Sequence, residues 1–165
     1  MVVRVFRWLS PMILVGAGAL VALVATAASE PAGRQPELLQ SHVVSWDQAR
    51  QRVADWGEMR FYFTGQTRGT EQVLAVVAVV QPGQAVHRAH RHAAEEYLLL
   101  VEGSGTWSLA GKESPARRGD MLYVEPWVYH GLTNTGDEPL VFAVIRYQSK
   151  GVPAPPRPDD GPDEL

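Results

Sequence analysis

The sequence predicts an all-β fold, an antiparallel sandwich or a small barrel. Six short runs rich in β-branched and aromatic residues follow one another, and Gly, Pro, Asn or Asp separates most of them. Only one segment carries a helix signature, and no internal repeat is visible. The chain has 165 residues, of which 45% are hydrophobic and 20% charged, so its length allows one such domain with tails.

The predicted elements are one short helix and the strands that follow it. A Ser-x-x-Gln pattern from Ser45 to Gln48 forms a capping box, which predicts a helix near residues 46–54. The predicted strands are Met59–Thr64, Gln72–Gln81, Glu96–Glu102, Gly105–Ala110, Met121–Glu125 and Leu140–Tyr147. Many short strands with almost no helix favour a sandwich or barrel over an α/β fold.

Residues 1–28 have the layout of a secretory signal peptide. Arg4 and Arg7 precede an apolar stretch, and Ala25 and Ala27 close it in the A-x-A arrangement of a cleavage site. The 21-residue apolar run to Ala28 is also long enough to cross a bilayer as an uncleaved anchor. We therefore expect an extracytoplasmic domain, periplasmic or secreted, with a membrane-anchored form as the alternative. Membrane contact is expected only through this segment.

The remaining chain divides into a linker, a domain and a tail. Residues 29–40 contain two prolines and a glycine and are interpreted as a linker. Residues 41–150 form the predicted domain. Residues 151–165 hold five of the twelve prolines and four acids, and are expected to be disordered because they offer little apolar surface to offset ordering entropy.

Composition excludes several classes of function. The chain has no cysteine, so disulfides, thiolate metal sites and thiol nucleophiles are all excluded. The net charge is −3, and the acidic excess lies mostly in the tail, so the domain itself is nearly neutral. Nucleic-acid binding needs a clustered basic surface, and we therefore expect a small-molecule partner instead.

Four of the five histidines lie in two places. His90 and His92 are two residues apart, which on a strand puts both imidazoles on one face, about 6–7 Å apart. Glu96 brings a carboxylate back to the same neighbourhood, and His130 would complete a set of three imidazoles and one carboxylate. Such a set suits borderline divalent ions and occurs with open positions in non-heme iron chemistry.

The spacing of these residues resembles the two motifs of the cupin superfamily, in its small single-domain, type-2 form. The matching residues are His90-x-His92-x3-Glu96-x6-Gly103, then Gly119-Asp120, then His130-x3-Asn134. The resemblance covers roughly residues 75–147. It implies a single antiparallel jelly-roll barrel with a divalent metal ion held inside, near the mouth.

The resemblance also implies a role for each matched residue. His90, His92, Glu96 and His130 would be the metal ligands. The two glycines, Gly103 and Gly119, would be turn residues, because a residue without Cβ takes positive φ readily. Asn134 would fix the backbone at the end of the second motif.

Two departures from the family pattern affect the surroundings of the ligands. Gln84 stands where the first motif has a glycine, and Glu125-Pro126-Trp127 replaces the Pro-x-Gly turn before the last histidine. Pro126 still restricts the preceding residue to extended conformations. The ligand set is therefore intact, while the sequence does not determine the substrate pocket or the reaction.

Candidate catalytic and substrate-binding residues surround this set. Glu125, Tyr123 and His87 are candidates for moving a proton, with His87 interpreted first as a rim residue. The aromatic residues Trp107, Trp127, Tyr129 and Phe142 are candidates for lining a substrate pocket. Aromatic residues in strands are also ordinary core residues, so both interpretations stay open.

Three functions are compatible with the predicted site. The first is a metal-dependent enzyme acting on a small anionic metabolite, a dioxygenase-like oxidoreductase, with isomerase and lyase as other reaction types. The second is a non-enzymatic extracytoplasmic protein that binds a sugar or an aromatic acid. The third is a barrel with a structural metal.

A divalent ion with four protein ligands keeps open positions for a bidentate anion, and acts as a Lewis acid or holds substrate beside O2. Fold alone does not choose among such functions. The metal is expected to be Fe, Mn, Zn, Ni or Cu. A homodimer through sheet edges is compatible with the resemblance.

Overall fold

The computed structural model describes residues 37–165. Within this range, no helix is long and apolar enough to span a bilayer. The signal peptide or anchor predicted at residues 1–28, and most of the linker predicted at residues 29–40, lie outside the described residues.

The described residues form nine strands in two antiparallel sheets. The larger sheet has six strands in the order β1-β2-β3-β9-β4-β7, and the smaller has the order β6-β5-β8. The strands are β1 (Arg50–Ala54), β2 (Gly57–Gly65), β3 (Thr70–Val80), β4 (Glu95–Glu102), β5 (Ser104–Leu109), β6 (Lys112–Arg117), β7 (Met121–Val124), β8 (His130–Thr133) and β9 (Leu140–Ser149). The six predicted strands correspond to β2, β3, β4, β5, β7 and β9, and the sequence did not predict β1, β6 and β8.

A single hydrophobic core lies between the two sheets. Alternate residues of each long strand point into it, as the two-residue period of a strand requires. The buried core residues are Val76, Ala78, Val80, Leu98, Leu100, Trp107, Ala116, Val124, Leu132, Leu140, Phe142 and Val144. Each large apolar side chain buried here contributes about 1.5–3 kcal/mol to folding. The all-β antiparallel class is thus confirmed, while a closed jelly-roll barrel stays a prediction because the described strands pair as two separate sheets.

The helix predicted near residues 46–54 is a single turn followed by a strand. Half of the capping box forms, since the Ser45 amide and hydroxyl both donate to Gln48 Oε1, at 3.1 and 3.0 Å, while the Gln48 amide donates to the Ser45 carbonyl. The amide of Ala49 donates to the carbonyl of Ser45 at 3.0 Å, which closes one helical turn. Residues Arg50–Ala54 then pair with β2 instead of continuing the helix. The prediction is therefore wrong for residues 50–54, where pairing across the sheet outweighs the local capping signal.

The C-terminal segment also differs from the sequence prediction. Residues 151–165, expected to be disordered, lie against the domain. The amide of Leu165 donates to the carbonyl of Ala89 at 2.9 Å, and the amide of Arg91 donates to the carbonyl of Asp163 at 2.8 Å. Hydrogen bonds and ion pairs therefore order a segment that has little apolar surface of its own.

Candidate metal centre

Backbone pairing brings the two histidine-bearing segments side by side. The amide of His90 donates to the carbonyl of His130 at 2.9 Å, and the amide of His130 donates back to His90 at 2.8 Å. This reciprocal pair joins the segment that precedes β4 to the start of β8. Two residues that are 40 positions apart in the chain thus become direct neighbours.

The three imidazoles and the carboxylate converge at one place. One ring nitrogen from each of His90, His92 and His130 lies within 4.8 Å of the others. The carboxylate of Glu96, only 5% exposed, contacts two of these rings. Its oxygens lie 3.2 Å from His92 Nε2 and 3.3 Å from His130 Nε2. The structure therefore brings together all four residues that the sequence singled out as ligands.

Backbone carbonyls orient two of the rings. His92 Nδ1 lies 2.8 Å from the carbonyl of Ala94, and His130 Nδ1 lies 2.9 Å from the carbonyl of Val128. Because a carbonyl oxygen only accepts, each Nδ1 carries a hydrogen, and in the neutral ring Nε2 carries the lone pair. This is the arrangement by which outer partners orient ligating histidines.

The resulting donor set fits a cation. The Nε2 lone pairs of His92 and His130 face the oxygens of Glu96, and such contacts are favourable only with a proton or a metal ion between the partners. In addition, His130 Nε2 and His90 Nδ1 are buried without a hydrogen-bond partner. Buried polar atoms normally have hydrogen-bond partners, so these two nitrogens indicate a site that binds an ion. The residues present fit a borderline divalent ion.

Electrostatics hold two members of the cluster, His90 and Glu96, in the protonation state that metal binding needs. Burial, followed by the neighbouring imidazoles of His87, His130 and His92, lowers the pKa of His90 from 6.5 to about 3. Burial alone would raise the pKa of Glu96, but contacts with His130 and His92 outweigh it and lower that pKa to about 2. At neutral pH His90 is therefore neutral and Glu96 is ionised, as metal binding requires.

The three candidate proton-transfer residues have different positions. The ring of His87 lies edge-on to that of His90, with 3.8 Å between their centroids, so His87 borders the cluster. Glu125 is exposed, and its carbonyl accepts from the amide of Val128 at 3.4 Å.

Tyr123 lies on the other face of the sheet. Its neighbour Val124 pairs with Glu96 and is buried with it, so Tyr123 points outward and donates to Glu95 Oε1 at 2.6 Å. This hydrogen bond raises the pKa of Tyr123 to about 12. Tyr123, a candidate for moving a proton, therefore points away from the imidazole cluster, because side chains alternate along the strand.

The four aromatic candidates fall into two pairs. Trp107 and Phe142 are buried in the hydrophobic core. Trp127 and Tyr129 use their polar groups on the C-terminal segment, with Trp127 Nε1 donating to the carbonyl of Pro155 at 2.7 Å and the Tyr129 hydroxyl donating to the carbonyl of Pro162. A substrate-binding role for these residues stays a prediction.

Trp127, which stands where the family pattern has a glycine, has a backbone conformation that favours glycine. It has a φ of 65°, in the left-handed region, and its amide donates to the carbonyl of His92 at 2.8 Å. A bulky residue in this region costs about 1–3 kcal/mol and persists only where its surroundings hold it. The backbone bond to His92 and the indole bond to Pro155 supply that support.

Of the three residues with implied backbone roles, Gly103 and Asn134 are closely surrounded, whereas a Cβ on Gly119 would meet nothing within 4 Å. Gly103 and Gly119 have φ values of 83° and 92°, where glycine is favoured. A Cβ on Gly103 would lie 2.9 Å from Leu140 Cα. Asn134 is fully buried, and its Nδ2 donates to the carbonyls of Val80 and Glu138 at 2.8 and 2.9 Å.

Arg91 is a residue that the sequence did not reveal as part of the site. It lies between His90 and His92 and is only 4% exposed. Its guanidinium donates to Asp160 Oδ1 at 3.0 Å and to the carbonyls of Asp160 and Gly161 at 2.6 and 3.0 Å. The sequence signal that could have singled out Arg91 was its position between two candidate ligands. Its partners could not be predicted, because they lie about 70 residues away in a segment that composition predicts to be disordered.

Comparisons with known proteins agree with this site. Residues 76–146, which include all four candidate ligands, match the Cupin_2 family model, described as "Cupin domain". An RmlC-like cupin from Shewanella frigidimarina superposes with a TM-score of 0.56 at 18% identity, over 72% of this chain and 97% of that one. Residues 76–146 are thus similar to a cupin domain, and the described residues share the fold of a solved cupin.

Two curated proteins are similar over part of their length. A gentisate 1,2-dioxygenase from Streptomyces is 31% identical over 81 residues, which are 48% of this chain and 22% of that protein. The dimethylsulfoniopropionate lyase DddW from Ruegeria pomeroyi is 33% identical over 90 residues, 53% of this chain and 58% of the lyase. The chain thus spans about a fifth of the dioxygenase it matches.

Proposed function

We propose that this chain is an exported cupin that binds a divalent metal ion through His90, His92, Glu96 and His130. The observation that carries the proposal is the convergence of three imidazole nitrogens within 4.8 Å of one another, beside a buried carboxylate. Export is inferred from the signal-like residues 1–28, whose Arg4, Arg7 and A-x-A site are those of a secretory leader.

We further propose that the protein is a metal-dependent enzyme, a dioxygenase-like oxidoreductase that acts on a small anionic metabolite. When bound, the metal would supply Lewis-acid chemistry and open positions for substrate and O2. Around it, the ionised Glu96 and the neutral His90 hold the ligating state, and carbonyls orient His92 and His130. His87 lies against His90 and is placed to carry a proton between the site and solvent.

The relatives support this choice of reaction without fixing it. The similarity to gentisate 1,2-dioxygenase favours oxygen chemistry on an aromatic hydroxy acid, and the similarity to DddW favours a lyase. The carboxylate of an aromatic hydroxy acid or of dimethylsulfoniopropionate could bind a metal that has two open positions. The dioxygenase match covers 22% of that enzyme, so the transfer of its activity to this chain belongs to the proposal.

A binding protein for an aromatic acid or a sugar is the second candidate. It is favoured by the scarcity of proton-transfer groups at the cluster, because Tyr123 faces the other side of the sheet and Glu125 is exposed. A binding protein needs a metal and a pocket, whereas an enzyme of this kind also needs a group that moves a proton.

Metal analysis with a matched pair of variants tests the metal site. Protein purified without chelators is expected to hold stoichiometric divalent metal by plasma mass spectrometry, and His92→Ala should lose most of it because one of three imidazoles is gone. His42→Ala is the control, since the exposed His42 lies against Phe63, outside the cluster. Wild-type protein that takes up none of Mn, Fe, Co, Ni, Cu or Zn would refute the metal site.

Oxygen consumption separates the two functions. Fe²⁺-loaded protein is mixed with gentisate in an oxygen electrode, and thermal shift measures binding of the same acid. Oxygen uptake with loss of the aromatic absorbance supports the dioxygenase. A raised melting temperature without oxygen uptake supports the binding protein, because a ligand that prefers the folded state stabilises it by mass action.

A further inference from the structure

The C-terminal segment, residues 155–165, pairs with the strand that carries His90. The Leu165 amide donates to the Ala89 carbonyl at 2.9 Å, and the Arg91 amide donates to the Asp163 carbonyl at 2.8 Å, which makes Glu164 the antiparallel partner of His90. On its other side His90 pairs with His130. His90 therefore lies in the middle of three extended segments that are joined by isolated bridges. The segment with His130 lies on one side of it, and the C-terminal segment lies on the other.

Arg91 anchors this segment from the side opposite the imidazoles. Side chains alternate along an extended chain, so the guanidinium points away from the cluster that His90 and His92 form. Its contacts with Asp160 and Gly161 are joined by Asp163, whose Oδ1 lies 3.5 Å from Nε. The guanidinium also lies 4.7 Å from the centre of the Tyr129 ring. An arginine that is almost fully buried needs such partners, and within the described chain the C-terminal segment supplies the carboxylates.

The same segment reaches the second ligand-bearing stretch. The carbonyls of Pro155 and Pro162 accept from Trp127 and Tyr129, which lie just before His130 in the chain. The segment thus binds both stretches that carry candidate ligands, at residues 89–91 and at residues 127–129.

We propose that residues 155–165 are a structural part of the metal centre and that Arg91 is a positioning residue. By holding Arg91 and the backbone around it, the segment fixes His90 and His92 in the ligating arrangement and so sets the metal affinity. Without it, the Ala89 carbonyl and Arg91 amide would face water, and the strand would keep only its pairing with His130. The freed backbone would then have to be ordered when the metal binds, which weakens binding. This inference rests on the proposed metal site.

The test compares Co²⁺ binding by three variants with that of the wild type. The variants are a deletion of residues 159–165, the double variant Asp160→Asn/Asp163→Asn, and Arg91→Gln. Each should weaken Co²⁺ binding by about tenfold or more, as is typical when an outer partner of a ligand is lost. Each should also shift the visible absorption of bound Co²⁺, a signature that a remote change in stability would not move.

Arg52→Gln is the matched control. It removes an exposed positive charge from β1, at the far edge of the larger sheet, and leaves residues 155–165 and Arg91 in place. Its affinity for Co²⁺ should stay within about twofold of the wild type, since exposed charges contribute about 0–1 kcal/mol. Circular dichroism checks that each variant is folded, and the double variant, which keeps the full chain, decides the matter if the deletion unfolds.

Two results would overturn the role of the segment and leave the metal site standing. The first is unchanged Co²⁺ affinity and absorption in the deletion and in the double variant. The second is rapid hydrogen exchange of the Arg91 amide in metal-free protein, because its bond to the Asp163 carbonyl predicts protection. If the wild-type protein binds no Co²⁺ at all, the proposed function fails together with this inference.

Discussion

The two faces of strands β4 and β7 carry ionisable groups in opposite electrostatic situations. On the inner face, Glu96 meets the buried imidazoles, and its pKa falls to about 2. On the outer face, Tyr123 donates to Glu95, and the pKa of Tyr123 rises to about 12. Glu95 and Glu96, which are adjacent in the chain, thus have different surroundings. The inner face holds a charge that a cation can bind, and the outer face keeps the Tyr123 hydroxyl protonated.

This contrast shows that the face of the sheet on which an ionisable side chain lies matters more for its role in the chemistry than the type of residue. Tyr97, Tyr123 and Tyr147 form an aromatic group on the outer face, with ring centroids 5.0 and 6.2 Å from Tyr97. Burial, followed by the charge of Glu95, raises the pKa of Tyr147 to about 12 as well. At neutral pH none of these hydroxyls with a raised pKa can act as a base. The chemistry is therefore expected on the inner face alone.

Glu96→Gln is expected to have the largest effect on this contrast. The amide keeps the shape of the side chain but removes the buried charge, so metal affinity should fall by at least about 100-fold. The metal-free protein should also be destabilised, by about 1–3 kcal/mol, because the lowered pKa of Glu96 means that its ionised form stabilises the folded state, and removing one partner of a buried ionic contact is destabilising. Calorimetric titration with Co²⁺ and urea unfolding without metal measure the two effects. A metal-free variant as stable as the wild type would contradict this account of the inner face.

Acid should destabilise the metal-free protein through the inner face. His90 has a folded-state pKa of about 3 against 6.5 for the free side chain, so the unfolded state binds more protons between these values and stability falls as the pH drops below 6.5. Glu96 adds a second loss below pH 4.5, its ordinary value, because its folded pKa is about 2. Urea midpoints measured from pH 7 to pH 4 test this. His90→Gln should flatten the loss between pH 6.5 and 4.5, and an equally steep curve in that variant would refute the assignment.

Tyr123→Phe should have the smallest effect at neutral pH and a visible one only in alkali. The pKa of Tyr123 is raised from 10 to about 12, so its contribution to stability is present below pH 10 and is lost as the pH rises toward 12. The variant should flatten that alkaline loss and leave Co²⁺ affinity within about twofold, because its hydroxyl contacts Glu95 and not the imidazoles. A large loss of metal affinity in this variant would show that the two faces are coupled.

Local patterns in the sequence were sufficient for most of the fold. Runs of alternating or continuous apolar residues identified six strands, which hold most of the buried core residues. The strand β6 was missed because it contains Pro115 and charged residues, which an edge strand tolerates. The strand β8 was missed because it has four residues and begins with the buried His130. In both strands, pairing with β5 decides the conformation, and this pairing is not visible in the local sequence.

The candidate site divides in the same way. The spacing of His90, His92, Glu96 and His130 predicted which side chains meet, because the resemblance supplied the long-range pairing. The face of Tyr123 could not be predicted, since Met121–Val124 is a continuous apolar run without alternation. The partners of Arg91 could not be predicted either. They depend on complementarity with the C-terminal segment, whereas composition alone indicated disorder.

The pairing of Leu165 with Ala89 has a practical consequence for handling this protein. An affinity tag or fusion partner appended after Leu165 would begin close to His90, because Leu165 directly follows Glu164, the residue that pairs with His90. A polyhistidine extension there would place competing imidazoles beside the native ones. Tags are therefore better attached ahead of the domain, where the first described strand, β1, lies at the far edge of the larger sheet.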